Sequence, residues 1–272
     1  MAGGMRILDR FAEGMELLKE AQPLAVEAGL TLERSRLHHL RGNLLFSFGR
    51  TTECLQEHEA ALRLARAAGS SEAEAAALGG VGDACYAEGR VRTGYEMFNR
   101  CVMVARVQLF LRVEVAYLPM LGWCSLYLMD VPASLQASRR TIELAVRTGN
   151  RRGELMARVQ LGMVDGWVCG HWREGRAEIE RAMELARALG SLRFQANATY
   201  MLGLMAIRAG DHPVARGLLH QALKMAEQGS RSFMGAQLYG SLARIEPDPA
   251  QRRHYLALGE RALEGAVSHN FF

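Results

Sequence analysis

The chain has 272 residues, 49% hydrophobic, 7% aromatic and 23% charged, with a net charge of +4 at pH 7. That length can bury a large core, and its 33 basic and 29 acidic residues are scattered rather than gathered in a basic stripe, which argues against a nucleic-acid partner. No apolar run approaches the roughly 20 residues of a membrane span, and MAGGMRILDR lacks the apolar core of a secretory signal, so a cytoplasmic location without membrane contact is expected.

Ala, Leu, Arg and Glu dominate, which favours helix because these residues lose little rotamer freedom on a helical backbone. The first predicted element is an unpaired helix over residues 11–28, ended by Gly29. Six helical pairs follow, over approximately 31–69, 71–109, 111–149, 151–190, 192–229 and 231–268. Within each pair a turn separates the helices, marked by Gly49-Arg50, Gly89-Arg90, Asp130-Val131-Pro132, Gly170-His171, Gly210-Asp211-His212-Pro213 or Pro247-Asp248-Pro249. Asp can accept from free amides at a helix start and Pro needs no donor there. Second helices stop near Gly69, Gly149, Gly190 and Gly229, where a glycine can turn left-handed.

The pairs are copies of one unit. Gly42, Gly82, Gly122, Gly162, Gly203 and Gly240 recur at spacings of 40, 40, 40, 41 and 37. A second register runs Ala25, Ala65, Ala105, Ala145, Ala186, Ala226 and Ala266, and a third Ala21, Ala61, Cys101, Thr141, Ala182, Ala222 and Ala262. A glycine inside a helix costs about 1 kcal/mol against alanine, so close approach of a neighbouring helix is the expected compensation. The small residues Cys54, Gly94, Ser134, Gly175 and Ala215 meet the same demand on the second helices. Gly79 and Gly80, in LGGVGDACYAEGR, have no counterpart in other repeats and suggest a shallow spot beside Asp83 and Tyr86.

A helical pair with Leu-Gly in its first helix, small residues on its second and a closing turn resembles the tetratricopeptide repeat (TPR) family, over residues 11 to about 266. The period is 40 rather than the family's 34, and His38, Leu78, Leu118 and Arg158 stand where a large aromatic usually opens the first helix. Such long repeats are similar to those of bacterial multidomain regulators, either maltose-activator-like or ATPase-coupled nucleotide cyclases. The resemblance implies an all-α, right-handed superhelical solenoid of antiparallel helix pairs, with about 13 helices in a single domain, 1–272. The chain enters on a second helix and closes on SHNFF without a polar capping helix, so a piece of a longer protein is expected, with self-association through the uncapped ends as a further possibility.

Catalytic motifs are absent. There is no Gly-x-x-x-x-Gly-Lys-Ser/Thr, His-Glu-x-x-His or Gly-x-Ser-x-Gly. The five cysteines form no CxxC pair and are expected as buried free thiols. The eight histidines contain no i,i+4 pair, so they are expected at solvent or between repeats, with no metal and no cofactor. By the family resemblance, ligand-facing positions on the concave face lie three before and one, four and five after each central glycine. Here these are His39, Asn43 and Phe46; Asp83 and Tyr86; Trp123 and Tyr127; Met163 and Trp167; Tyr200 and Arg208; Gln237 and Arg244. The expected function is a non-catalytic scaffold that holds a peptide, a partner protein or a neighbouring domain in that groove. The alternative is a small-molecule-sensing domain of a bacterial transcription regulator or nucleotide cyclase.

Overall fold

The computed structural model describes residues 10–229 and 234–264. Expectations for residues 1–9, 230–233 and 265–272, including the closing SHNFF and the end of the sixth pair, lie outside the described residues. All described secondary structure is helical. The helices are α1 (Phe11–Glu27), α2 (Thr31–Ser47), α3 (Thr51–Ala67), α4 (Ser71–Ala87), α5 (Val91–Val107), α6 (Leu111–Tyr127) and α7 (Val131–Thr148). Then come α8 (Arg151–Leu161), which continues as a π-helical segment Gly162–Val168, and α9 (Trp172–Ala188), α10 (Leu192–Arg208), α11 (His212–Gly229), α12 (Gly235–Ile245) and α13 (Pro249–Glu264). Among the described residues no helix is long and apolar enough to cross a membrane.

The chain packs as two compact units, residues 1–157 and 158–272. In the first, consecutive helices from α1 to α7 pack on one another, and the first helices of successive pairs also meet, α2 on α4 and α4 on α6. Ion pairs tie the end of one pair to the start of the next: Arg66 Nε to Glu74 Oε1 and Arg106 Nε to Glu114 Oε1, both at 2.8 Å. In the second unit the π segment packs on α9, α9 on α10, α10 on α11, α11 on α12 and α12 on α13.

Capping follows from the side chains at the turns. Ser70 and Ser191 accept from the backbone N–H groups of Ala73 and Phe194. Asp130 accepts from Ala133 N, and Asp211 from Val214 N. Past the helix ends, Gly29, Gly69, Gly149 and Gly190 take φ between 64° and 67°, and Gly49, Gly89, Gly170 and Gly210 between 74° and 85°. Two positions in this series carry side chains, Leu109 (φ 58°) and Met129 (φ 66°). Left-handed backbone costs a non-glycine residue roughly 1–2 kcal/mol, and these side chains recover little by packing, being 76% and 84% exposed. Leu109→Gly and Met129→Gly should therefore each stabilise the chain by about 1 kcal/mol, offset partly by the freer unfolded chain, and raise the thermal midpoint by roughly 2 °C. Circular dichroism melting checks this.

The mid-helix glycines do make room for neighbours, and the occupant recurs. A side chain 16 or 17 residues downstream, on the second helix, fills the space: His58 against Gly42, Phe98 against Gly82, Ile179 against Gly162 and Leu219 against Gly203. All four are fully buried. Ser138 stands at the matching position for Gly122, also fully buried. The sixth pair departs from the pattern, because a Cβ on Gly240 would meet nothing within 4 Å. Its spacing of 37 has already broken the register.

The glycine-rich stretch of α4 seats three rings within four residues. The Tyr117 ring lies against Gly79, the His58 ring against Gly80 and the Phe98 ring against Gly82. The shallow spot expected at Gly79 is therefore filled, since Tyr117 is 2.6 Å from where its Cβ would stand. Phe98 and Tyr117 stack with centroids 6.2 Å apart.

Candidate functional site

In the fourth pair the helix spacing changes by one residue, and the backbone records it. Seven residues separate Gly42 from Gly49, Gly82 from Gly89, Gly122 from Met129 and Gly203 from Gly210, but eight separate Gly162 from Gly170. The extra residue is absorbed as the π turn, where Cys169 N–H donates to Val164 O, five residues back, at 3.0 Å. Single-turn π insertions of this kind are frequent at functional sites. On the inner side the turn is held by near-contact of backbones: a Cβ on Gly175 of α9 would lie 2.5 Å from Gly166 Cα and 2.6 Å from Gly162 O.

On the outer side the π turn and the start of α9 bring two indoles together. The rings of Trp167 and Trp172 lie 6.4 Å apart at 61°. The Arg208 guanidinium, from the last residue of α10, sits 5.1 Å from the Trp172 ring and 5.8 Å from the Trp167 ring. Arg208 is exposed, whereas both tryptophans are half-buried. Beside them, Asp165 Oδ1 and His171 Nδ1 are 3.0 Å apart.

The other sequence-predicted positions fall into separate settings. His39 is half-buried, with its Nε2 3.0 Å from Asn43 Nδ2 and 3.4 Å from the Tyr117 hydroxyl. Its ring lies 5.1 Å from that of His58. Asn43 itself is buried, and Phe46 packs half-buried against Leu45, Cys54 and Ala84. Tyr86 is buried and hydrogen-bonded to half-buried Tyr127, their rings 6.0 Å apart, and burial drives its hydroxyl pKa well above the usual range. Asp83 is half-buried, close enough for its charge to add to the raised pKa of Cys54, Cys101 and Cys124. Trp123, Met163 and Gln237 are half-buried and Arg244 is exposed. Tyr200 is half-buried, its hydroxyl 3.4 Å from Ser241 Oγ.

Trp172, His58 and Tyr117 were not among the sequence-predicted site residues. The signal for Trp172 was the 41-residue spacing, which places an irregularity between Gly162 and Gly170. His58 is fully buried between the first two pairs, because two missing side chains, at Gly42 and Gly80, leave space for its ring. One other expectation needs correction: Cys169 is exposed, lying in the turn after the π segment, while the other four cysteines are buried. Burial pushes the Cys124 thiol up to about 12, helped by the charges of Asp83 and Cys85, and pushes Cys54 and Cys101 up further. These thiols stay protonated and are poor nucleophiles. Among the described residues no group of three or more His, Cys, Asp or Glu side chains is arranged to hold a metal.

No family model and no curated protein sequence matches the chain. Solved structures do. The Rap conjugation gene regulator of plasmid pLS20, solved in complex with the Phr* peptide, is 13% identical with a TM-score of 0.79, over 97% of this chain and 72% of that one. Aspartyl phosphate phosphatase F from Bacillus subtilis is 10% identical at 0.67, over 99% and 68%. A signal-transduction ATPase of Pyrococcus horikoshii with a tetratricopeptide repeat sensor is 13% identical at 0.56, over 94% of this chain and 41% of the ATPase. The chain has the TPR-like fold. In that fold the aromatic residues of α2, α4, α6, α8 and its π extension, and α10 all belong to the first helix of a TPR-like pair.

Proposed function

We propose that this TPR-like chain is a non-catalytic interaction scaffold that takes a peptide, a partner protein or a neighbouring domain on its first-helix face. The observation that carries the reading is that half-buried aromatic residues stand at the expected ligand-facing positions of the first helices, Phe46, Trp123 and Tyr127 in the first unit and Trp167 and Tyr200 in the second, in a chain only 7% aromatic. Trp and Tyr bring large area and a polar tip to an interface at low entropic cost. Of two proteins of similar fold, the Rap conjugation regulator was solved with a peptide, which supports the peptide reading, whereas phosphatase F carries an enzyme's name.

A small-molecule sensor is the second reading, and one feature favours it. A cleft of about 600 Å³ in the first unit, lined among others by Met15, Lys19, Pro23, Arg41 and Glu57, lies in the usual range for ligand pockets. Its charged groups already have partners, however: Lys19 with Glu16, Arg41 with Glu57 and Arg50 with Glu53. Little is left there to orient a ligand.

Selection of short random peptides on the immobilised chain tests the proposal. Trp123→Ala combined with Trp167→Ala should weaken the selected peptides at least about tenfold while leaving the melting temperature nearly unchanged. A large fall in melting temperature would assign these residues to the core instead, and a screen that enriches no peptide would count against the scaffold reading.

A further inference from the structure

Arg208 differs from the other arginines that carry ion pairs in the second unit. Arg158 and Arg181 pair with Glu178, Arg176 with Glu180 and Arg216 with Glu246. Arg208 holds its cation over two indoles and has no carboxylate partner among the described residues. The carboxylate beside the indole pair, Asp165, is engaged by His171. The guanidinium carbon lies over both rings while the residue as a whole is exposed, so its N–H donors remain within reach of a ligand. An arginine held this way loses less side-chain freedom when it binds, and its fork matches a carboxylate with two parallel hydrogen bonds.

The indoles supply the apolar half of the arrangement. Trp167 reaches this position through the π turn and Trp172 from the first residue of α9, so the grouping depends on the single residue inserted in the fourth pair. The corresponding first helices α2, α4 and α6 carry no such turn. The site is therefore particular to one pair and not a general property of the repeat.

We infer that Trp167, Trp172 and Arg208 form a recognition site for an acidic peptide segment: a Glu or Asp carboxylate pairs with the Arg208 edge, and an apolar side chain next to it lies on the indoles. The inference rests on the peptide reading above and narrows it to one chemistry at one place. An arginine between indoles can also receive a base and a phosphate. The surroundings favour the peptide, because Arg208 is a single cation while Arg158, Arg176 and Arg181 of the same unit are already paired with glutamates, whereas a nucleic-acid strand calls for a run of free basic groups, and the chain's net charge is only +4.

The test uses the full chain with its own sequence. The probe is a fluorescein-labelled peptide of alternating glutamate and leucine, compared with the same peptide carrying glutamine for glutamate and with an oligothymidine of similar length. The acidic peptide should raise anisotropy saturably and shift the tryptophan emission. The glutamine peptide should bind at least about tenfold more weakly, as should Arg208→Gln with the acidic peptide, the scale expected for a lost charge-assisted hydrogen bond. Arg208→Lys should recover only part, since it restores charge without the fork. Equal melting of all variants shows that folding is not the cause.

Equal binding of the glutamine peptide, indifference to Arg208→Gln, or stronger binding of the oligothymidine would overturn the inference. Selected random peptides that depend on Trp123 but not on Arg208, and show no acidic bias, would leave the scaffold standing and remove this site. Absence of any selected peptide together with silence of the acidic probe would remove both.

Discussion

Gly175→Ala is expected to destabilise the chain by about 3 kcal/mol or more. The added methyl meets backbone on two sides, 2.5 Å from Gly166 Cα and 2.6 Å from Gly162 O. A side chain could rotate away, but backbone cannot, so α9 and the π segment must separate and give up the packing of Ile179 against Gly162. The alanine's better helix propensity returns only about 1 kcal/mol. Gly240→Ala supplies the internal contrast: its Cβ faces open space, so the propensity gain of about 1 kcal/mol should appear undiminished. Urea unfolding followed by circular dichroism measures both. Equal stability of Gly175→Ala and the parent would mean that the two backbones do not approach as described.

Phe98→Ala should cost about 3–5 kcal/mol, the range for a fully buried aromatic whose cavity does not collapse. Its ring has no solvent exposure, stacks on Tyr117 and lies 2.7 Å from where a Gly82 Cβ would stand. Gly82→Ala alone should cost about 1–3 kcal/mol by overpacking. If knob and hole form one contact, the two changes must couple. Gly82→Ala combined with Phe98→Leu should lose less than the sum of the single losses, by more than the ~0.5 kcal/mol scatter of independent sites. Strict additivity would place the Phe98 ring elsewhere.

Much of this arrangement was legible in the sequence. The helix boundaries followed from glycines and caps, because left-handed backbone and free amides each demand particular residues. Compensation for the mid-helix glycines could be anticipated, but the identity of the occupant could not. His58, Phe98, Ser138, Ile179 and Leu219 share a register without sharing a chemistry, so a search for similar residues passes over them. Gly79 was misread for a related reason: the ring that fills it, Tyr117, lies a full repeat away. At the candidate site, the register put Trp167 and Arg208 among the expected ligand-facing positions, but Trp172 follows a turn rather than a helix face. Only the one-residue excess between Gly162 and Gly170 pointed to it.

The distance along the chain between each glycine and its occupant has a consequence for how the molecule reaches its fold. Sixteen or seventeen residues separate hole from knob in the four pairs where both are seen. Each such contact closes a short loop, whose entropic cost grows only with the logarithm of its length. A chain stabilised by local closures folds rapidly for its size, and any one pair can serve as the nucleus from which neighbours grow. Different natural sequences, or different variants of this one, can therefore start from different pairs and arrive at the same structure.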